Sequence, residues 1–134
     1  MYTVREGTLK DRDAVGEMYR RVAEIRGGIA READEISHDW LDHWMHRSLK
    51  SGVWLVAESA PDGTVQKNTR PELLGSVHAY ELEPRVFSHV LGQLTIAVEP
   101  LAQAKGVGRL LFTSFLQKVR SERPNIQRVE LMAR

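Results

Sequence analysis

The sequence predicts a single α/β domain built on a mixed sheet, with its elements in the order β-α-α-β-β-β-α-β. Three observations lead there. The hydrophobic period switches repeatedly between two and about 3.6 residues. Five prolines (Pro61, Pro71, Pro84, Pro100 and Pro124) punctuate those stretches, because proline disrupts helix interiors and central strands. A run of strands then gives way to a strand–helix–strand crossover at the end of the chain.

The elements follow in order. Tyr2 to Gly7 alternates and reads as the first strand. From Asp11 onward Ala14, Val15, Met18, Tyr19, Val22 and Ile25 recur at helical spacing, and Gly27-Gly28 stops that helix. A second amphipathic stretch runs from about Ser37 to Lys50, with Trp40, Leu41, Trp44, Met45 and Leu49 on one face and Gly52 at its end. Val53 to Ala57 is a strand by its β-branched and aromatic content. Pro61-Asp62-Gly63 opens a polar loop from about Ala60 to Glu72. Leu73 to Leu82 returns as a strand, antiparallel to its predecessor across that loop. Ser88 to Val98 is a long strand with a largely apolar finish. Gly106 to about Glu122 is the strongest helix, with Val107, Leu110, Leu111, Phe115 and Val119 as its buried stripe and Phe112 and Leu116 beside it. Ile126 to Ala133 alternates again and makes the last strand. No repeat and no low-complexity tract interrupts this order.

The bulk properties exclude several function classes. At 134 residues the chain is one domain by length, and 42% hydrophobic with 28% charged residues is ordinary globular composition. A net charge of +1 supplies no field to attract nucleic acid or a membrane surface, so any polyanion is held locally. The absence of cysteine excludes disulfides, thiolate metal sites and a cysteine nucleophile. Nothing approaches the roughly 18 consecutive apolar residues of a membrane span. The first six residues carry no basic-then-apolar signal, and a cytoplasmic location is expected.

The segment that carries chemistry is Leu94 to Leu111. An apolar strand ends at Pro100, a short turn follows, and a glycine-bearing loop opens straight into a helix. Gly106 and Gly108 lack Cβ atoms, so a ligand can approach the backbone closely. The first N–H groups of the helix have no intrahelical partner and sit at the positive end of its dipole. Lys105 and Arg109 flank them with full charges, which makes an anion site suited to a pyrophosphate. Spacing alone leaves open a tight connection that binds nothing. Neither Gly-x-x-x-x-Gly-Lys-Ser/Thr nor the dinucleotide fingerprint is present, since Leu111 stands where the third glycine belongs.

Val98-x-Pro100-x-x-Gln103-x-x-Gly106-x-Gly108 resembles the acyl-CoA-binding signature of the GNAT superfamily of N-acetyltransferases, and Ile96-x-Val98 resembles the strand that family uses for the pantetheine arm. The order of elements, with two helices between the first and second strands, is also similar. The resemblance implies the mixed, mostly antiparallel twisted sheet of the acyl-CoA N-acyltransferases and acetyl-CoA as co-substrate. It implies that the backbone amides of Gln103, Ala104, Lys105, Gly106, Val107, Gly108 and Arg109 hold the pyrophosphate. The backbone of Ile96, Ala97 and Val98 would pair with the pantetheine amides as an added strand, with Val98 N–H facing the thioester oxygen. The implied reaction is direct attack by an amine of a small molecule or peptide on the thioester. Substitutions at Ala97 are expected to matter less than loss of glycine at 106 or 108.

The resemblance departs at the proton-handling groups. Many family members carry a glutamate at the position of Gly92, and some carry histidines near Gly92 and Leu94; this chain has neither. The nearest candidates for a base are Glu83 and His89, with Glu81 beside them, while Gln93 could orient a water but not accept a proton. The tyrosine acid of the family lies on a helix beyond the last strand, and this sequence ends at Arg134. The expectation is a natural chain that continues past Arg134; a second copy covering the open sheet edge, a homodimer, is the alternative. His38, Asp39, Asp42, His43 and His46 could in principle gather on one helix face, but a solvated, lightly paired surface is expected there and no metal. Trp40, Trp44 and the loop from Gly27 to Glu35 would line the acceptor side in the family, or the tryptophans are simply core. Two further readings stay open: a non-catalytic acyl-CoA-binding module, and a nucleotide-binding domain using the same glycine loop.

Overall fold

The computed structural model describes residues 2–25, 28–59 and 71–132. Five strands, β1 (Tyr2–Glu6), β2 (Gly52–Ser59), β3 (Leu73–Glu81), β4 (Val90–Val98) and β5 (Arg128–Leu131), form one sheet in that spatial order. The first three pairings are antiparallel and β4 pairs with β5 in parallel. This is the mixed, mostly antiparallel α/β sheet that the sequence predicts. Helices α1 (Arg12–Ala23) and α2 (His38–Ser51) join β1 to β2, and α3 (Val107–Glu122) makes the crossover from β4 to β5.

β2 and β3 are buried on both faces, and the period-2 alternation of a strand sorts their side chains into two cores. Trp54 and Val56 join Val15, Met18, Tyr19, Leu41, Trp44 and Met45 beneath α1 and α2. Val53, Leu55, Ala57, Val77 and Ala79 join Val107, Leu111, Phe115 and Val119 beneath α3. Ser37 caps α2, its Oγ accepting from Trp40 N–H at 3.1 Å. Among the described residues no helix is long and apolar enough to cross a membrane.

Several expectations need correction. α1 ends at Ala23, before the glycine pair; Ala14 and Ile25 are exposed instead of lying on the buried stripe, and Gly27 lies outside the described residues. Leu49 of α2 and Leu110 of α3 also face out, at 48% and 39% exposure. Helical spacing counts apolar residues, but a neighbouring element must reach each one for it to be buried. The last two strands are shorter than the alternation suggests. A 3₁₀ turn at Arg85–Phe87 delays the start of β4 to Val90, and β5 ends at Leu131. The loop placed at Ala60 to Glu72 lies outside the described residues from 60 to 70.

Candidate functional site

The useful geometry begins where β4 leaves β5. The β4–β5 pairing ends at Leu94↔Leu131, whereas the β3–β4 register continues to Gly75↔Val98. The shift falls at a bulge: Gln93 takes a positive φ of 57°, and β4 gains one residue against β3 between Tyr80↔Gly92 and His78↔Thr95. Beyond the bulge, one edge of β4 has no strand beside it among the described residues.

The polarity of that edge follows from the register. Glu99 N–H donates to the Leu74 carbonyl at 2.7 Å. Antiparallel pairs alternate, so Ala97 and Thr95 spend their backbone groups on β3, while Ile96 and Val98 direct theirs to the open side. The Val98 carbonyl on that side accepts from Gln103 Nε2 at 3.2 Å. Ala97 differs from its two neighbours, because its side chain is buried in the core beneath α1 and α2. Arg21 holds the far end of β4 through two bonds to the Glu99 carboxylate at 2.8 and 2.9 Å.

At the end of that edge stands the N-terminus of α3. Gly106 is its N-cap residue with φ of 84°, and no side chain caps the helix. The first intrahelical bond is Leu110 N–H to the Gly106 carbonyl at 3.1 Å, which leaves the amides of Val107, Gly108 and Arg109 without backbone acceptors. A Cβ at Gly108 would sit 3.4 Å from Val98 Cγ2, so the helix start lies directly against the end of β4. Ala104 also takes a positive φ of 65°, and Tyr2 Oη donates to the Lys105 carbonyl at 3.0 Å. The side chains of Gln103, Lys105 and Arg109 are exposed around this cradle.

A cavity of about 210 Å³ opens beside the same edge, on the face covered by α1 and α2. Its wall includes Thr95 and Ile96 from β4, Trp40 and Trp44 from α2, His78 and Tyr80 from β3, and residues 28–31. His78 is 1% exposed. Its Nδ1 lies 3.1 Å from Tyr19 Oη, which lies 3.2 Å from Ser76 Oγ, which accepts from Trp54 Nε1 at 3.0 Å. Trp44 stacks on the imidazole with ring centroids 3.6 Å apart. Burial holds His78 well below its ordinary range, so it is a neutral imidazole, and burial raises the Tyr19 phenol.

The titratable candidates nearest in sequence lie elsewhere. The Glu83 side chain is 76% exposed and 3.5 Å from Arg47, Glu81 faces Arg123 at 4.0 Å, and His89 is half-buried beside β5; none of the three lines the cavity. Leu82 packs over the position of Gly92, where a Cβ would stand 2.3 Å from Leu82 Cδ2, so any side chain there requires the leucine to move. On α2, Asp42 pairs with Arg12 at 3.2 Å and His43 packs edge-on against Tyr80. Trp40 and Trp44 are both core and cavity wall. Inspection of the sequence misses His78. Its signal is there to find: Ser76, His78 and Tyr80 alternate with Val77 and Ala79, putting polar groups along one face of a central strand.

No protein-family model matches the sequence, and no curated protein matches it. Solved structures do. A GCN5-related N-acetyltransferase from Kribbella flavida is similar with a TM-score of 0.68 at 25% identity, over 90% of this chain and 66% of that one. A GNAT-superfamily phosphinothricin acetyltransferase from Sinorhizobium meliloti, in complex with acetyl-CoA, gives 0.66 at 19% identity, over 87% of this chain and 58% of that one. The yncA protein of Salmonella typhimurium, solved with acetyl-CoA, gives 0.60 at 20% identity, over 90% and 64%. The chain therefore spans 66% and 58% of the lengths of the first two.

Proposed function

Since the chain carries the fold of the GNAT superfamily of N-acetyltransferases, we propose that it binds acetyl-CoA and transfers the acetyl group to an amine. The observation that carries this reading is the pairing of an open β4 edge with an uncapped helix N-terminus at its end. A pantetheine arm contains amides that can add to a free strand edge, and a pyrophosphate suits unpartnered helix amides. Ile96 and Val98 would pair with the arm. The Gln103 side chain would move off the Val98 carbonyl as the arm arrives, and the amides of Gln103 to Arg109 would hold the diphosphate.

In the reaction, the lone pair of the neutral amine attacks the thioester carbon. A C–N bond forms, the C–S bond breaks, and the amine's proton ends on the departing sulfur, giving the amide and CoA. An alkylammonium must first release one further proton to water. The charge that develops on the thioester oxygen is met by a strand N–H already fixed in place, which needs no reorganisation. Val98 N–H has the direction for this role.

Isothermal titration with acetyl-CoA, CoA and ATP tests the reading. Micromolar binding of the first two, with none of ATP, is expected; absence of CoA binding by folded protein would sink it. Thiol release against an amine panel then separates transferase from binding module. The module is favoured by one observation, that neither Glu83 nor His89 reaches the cavity. Absence of turnover with any amine would decide for it.

A further inference from the structure

Beyond the Gln93 bulge, residues 95–98 of β4 are paired with β3 on one side and, among the described residues, with no strand on the other. The aim of the amides on that open edge then depends on what holds the end of the strand. Three partners meet at Glu99. Its N–H donates to the Leu74 carbonyl at 2.7 Å, and its carbonyl accepts from Ala102 N–H at 2.8 Å. Its carboxylate accepts from Arg21 Nε and Nη2 at 2.9 and 2.8 Å. The first contact anchors the strand end to β3. The second opens the 3₁₀ turn Pro100–Ala102 that leads to the helix cradle. The third comes from α1, 78 residues away in the chain. Glu99 is therefore the joint between the open edge and the cradle.

The other side-chain contact on this strand end is the Gln103 amide on the Val98 carbonyl, which occupies the edge that an added ligand strand would take. The acetyl-CoA reading requires that contact to be given up, whereas the Arg21 fork acts from α1 and stays in place. A guanidinium grips a carboxylate with two parallel N–H bonds, which fixes direction as well as distance. An ammonium in the same place supplies charge alone. The Glu99 side chain is 13% exposed against 51% for Arg21, so the carboxylate end of the pair is largely shielded from water.

We propose that Arg21 is a positioning residue for acetyl transfer: through Glu99 it fixes the aim of the neighbouring Val98 N–H at the thioester oxygen. The proposal rests on the acetyl-transfer reading above. Arg21 touches neither substrate nor cofactor in this account. It matters more to the reaction than to the fold, because a half-exposed ion pair adds little to stability whereas a misdirected oxyanion donor costs rate.

The test compares the full chain with Arg21→Lys, which keeps the charge and loses the fork, and with Glu99→Gln, which keeps the shape and loses the charge. The infrared band of acetyl-CoA carrying ¹³C at its thioester carbonyl reads the hydrogen bond on that oxygen directly. Binding to the unsubstituted protein should move the band to lower wavenumber, and Arg21→Lys should lose about half of that shift or more. For the amine that the unsubstituted protein uses fastest, kcat should fall by on the order of tenfold in each variant. The Kd for acetyl-CoA should stay within about twofold and the thermal midpoint should change little. The two substitutions together should cost no more than either alone, because each breaks the same clamp. Should Glu99→Gln fail to fold, Arg21→Lys, at a half-exposed position, still decides. An unaltered band in Arg21→Lys overturns the proposal, as do additive losses in the double variant or a loss of rate that only tracks a lowered midpoint. Protein that binds acetyl-CoA with no band shift, or with no turnover of any amine, also overturns it and leaves the binding reading standing. Failure to bind acetyl-CoA sinks that reading and this one together.

Discussion

At the scale of single residues, two positions near the cradle separate backbone need from ligand need. Gly106 is required by its own conformation: φ of 84° is strained for any residue with a Cβ, and that Cβ would meet Tyr2 Oη at 3.1 Å. Gly106→Ala should destabilise the fold by about 1–2 kcal/mol, read as a lowered urea midpoint. It should also weaken acetyl-CoA binding by ~tenfold in calorimetry, because the helix amides lose their aim. Gly108 has a φ open to other residues, and a methyl there would reach only ordinary contact with Val98. Under the proposed acetyl-CoA reading, its role would concern approach of the ligand more than folding. Ala97 runs against its expected tolerance on physical grounds: its methyl is buried in the core beneath α1 and α2, so a larger side chain overpacks that core.

At the scale of elements, the cradle is built by segments far apart in sequence. The first strand reaches the loop before α3 through the Tyr2 hydroxyl on the Lys105 carbonyl. Arg21 of α1 clamps Glu99 where β4 turns away. Tyr2→Phe removes one hydrogen bond and leaves the ring, so about 1 kcal/mol is at stake. That loss should appear as ~fivefold weaker acetyl-CoA binding, with the thermal midpoint changed little. An unaltered Kd would mean that the loop holds its shape without β1. The helix after Gly106 was legible from Val107, Leu111, Phe115 and Val119, whose spacing repeats over a long stretch. The bulge at Gln93 was not, because it depends on β4 matching β3 on one side and parting from β5 on the other. Nothing local in Leu91-Gly92-Gln93-Leu94 encodes both conditions.

For the molecule as a whole, His78 lies between the sheet and the two helices, tied to Tyr19 and stacked on Trp44. Its folded-state affinity for protons is lowered by burial, whereas the unfolded chain takes up a proton near pH 6.5. The stability this neutral group allows is present above pH 6.5 and is lost as the pH falls below it, by up to ~1.4 kcal/mol per pH unit. Urea midpoints between pH 5 and 7.5 should show that acid limb, and a His78→Asn protein should lack it; the same slope in both proteins would contradict the assignment. The amino-acid sequence by itself determined the order of elements, the glycine-bearing strand-to-helix connection and the likeness to an acyl-CoA-binding family, since each depends on residues close together in the chain. The tertiary structure alone decided which apolar residues are covered, where β4 opens, and that His78 rather than Glu83 or His89 lines the cavity. Those outcomes depend on strand register and on helices that pack from distant parts of the chain, and periodicity carries no record of which neighbour arrives.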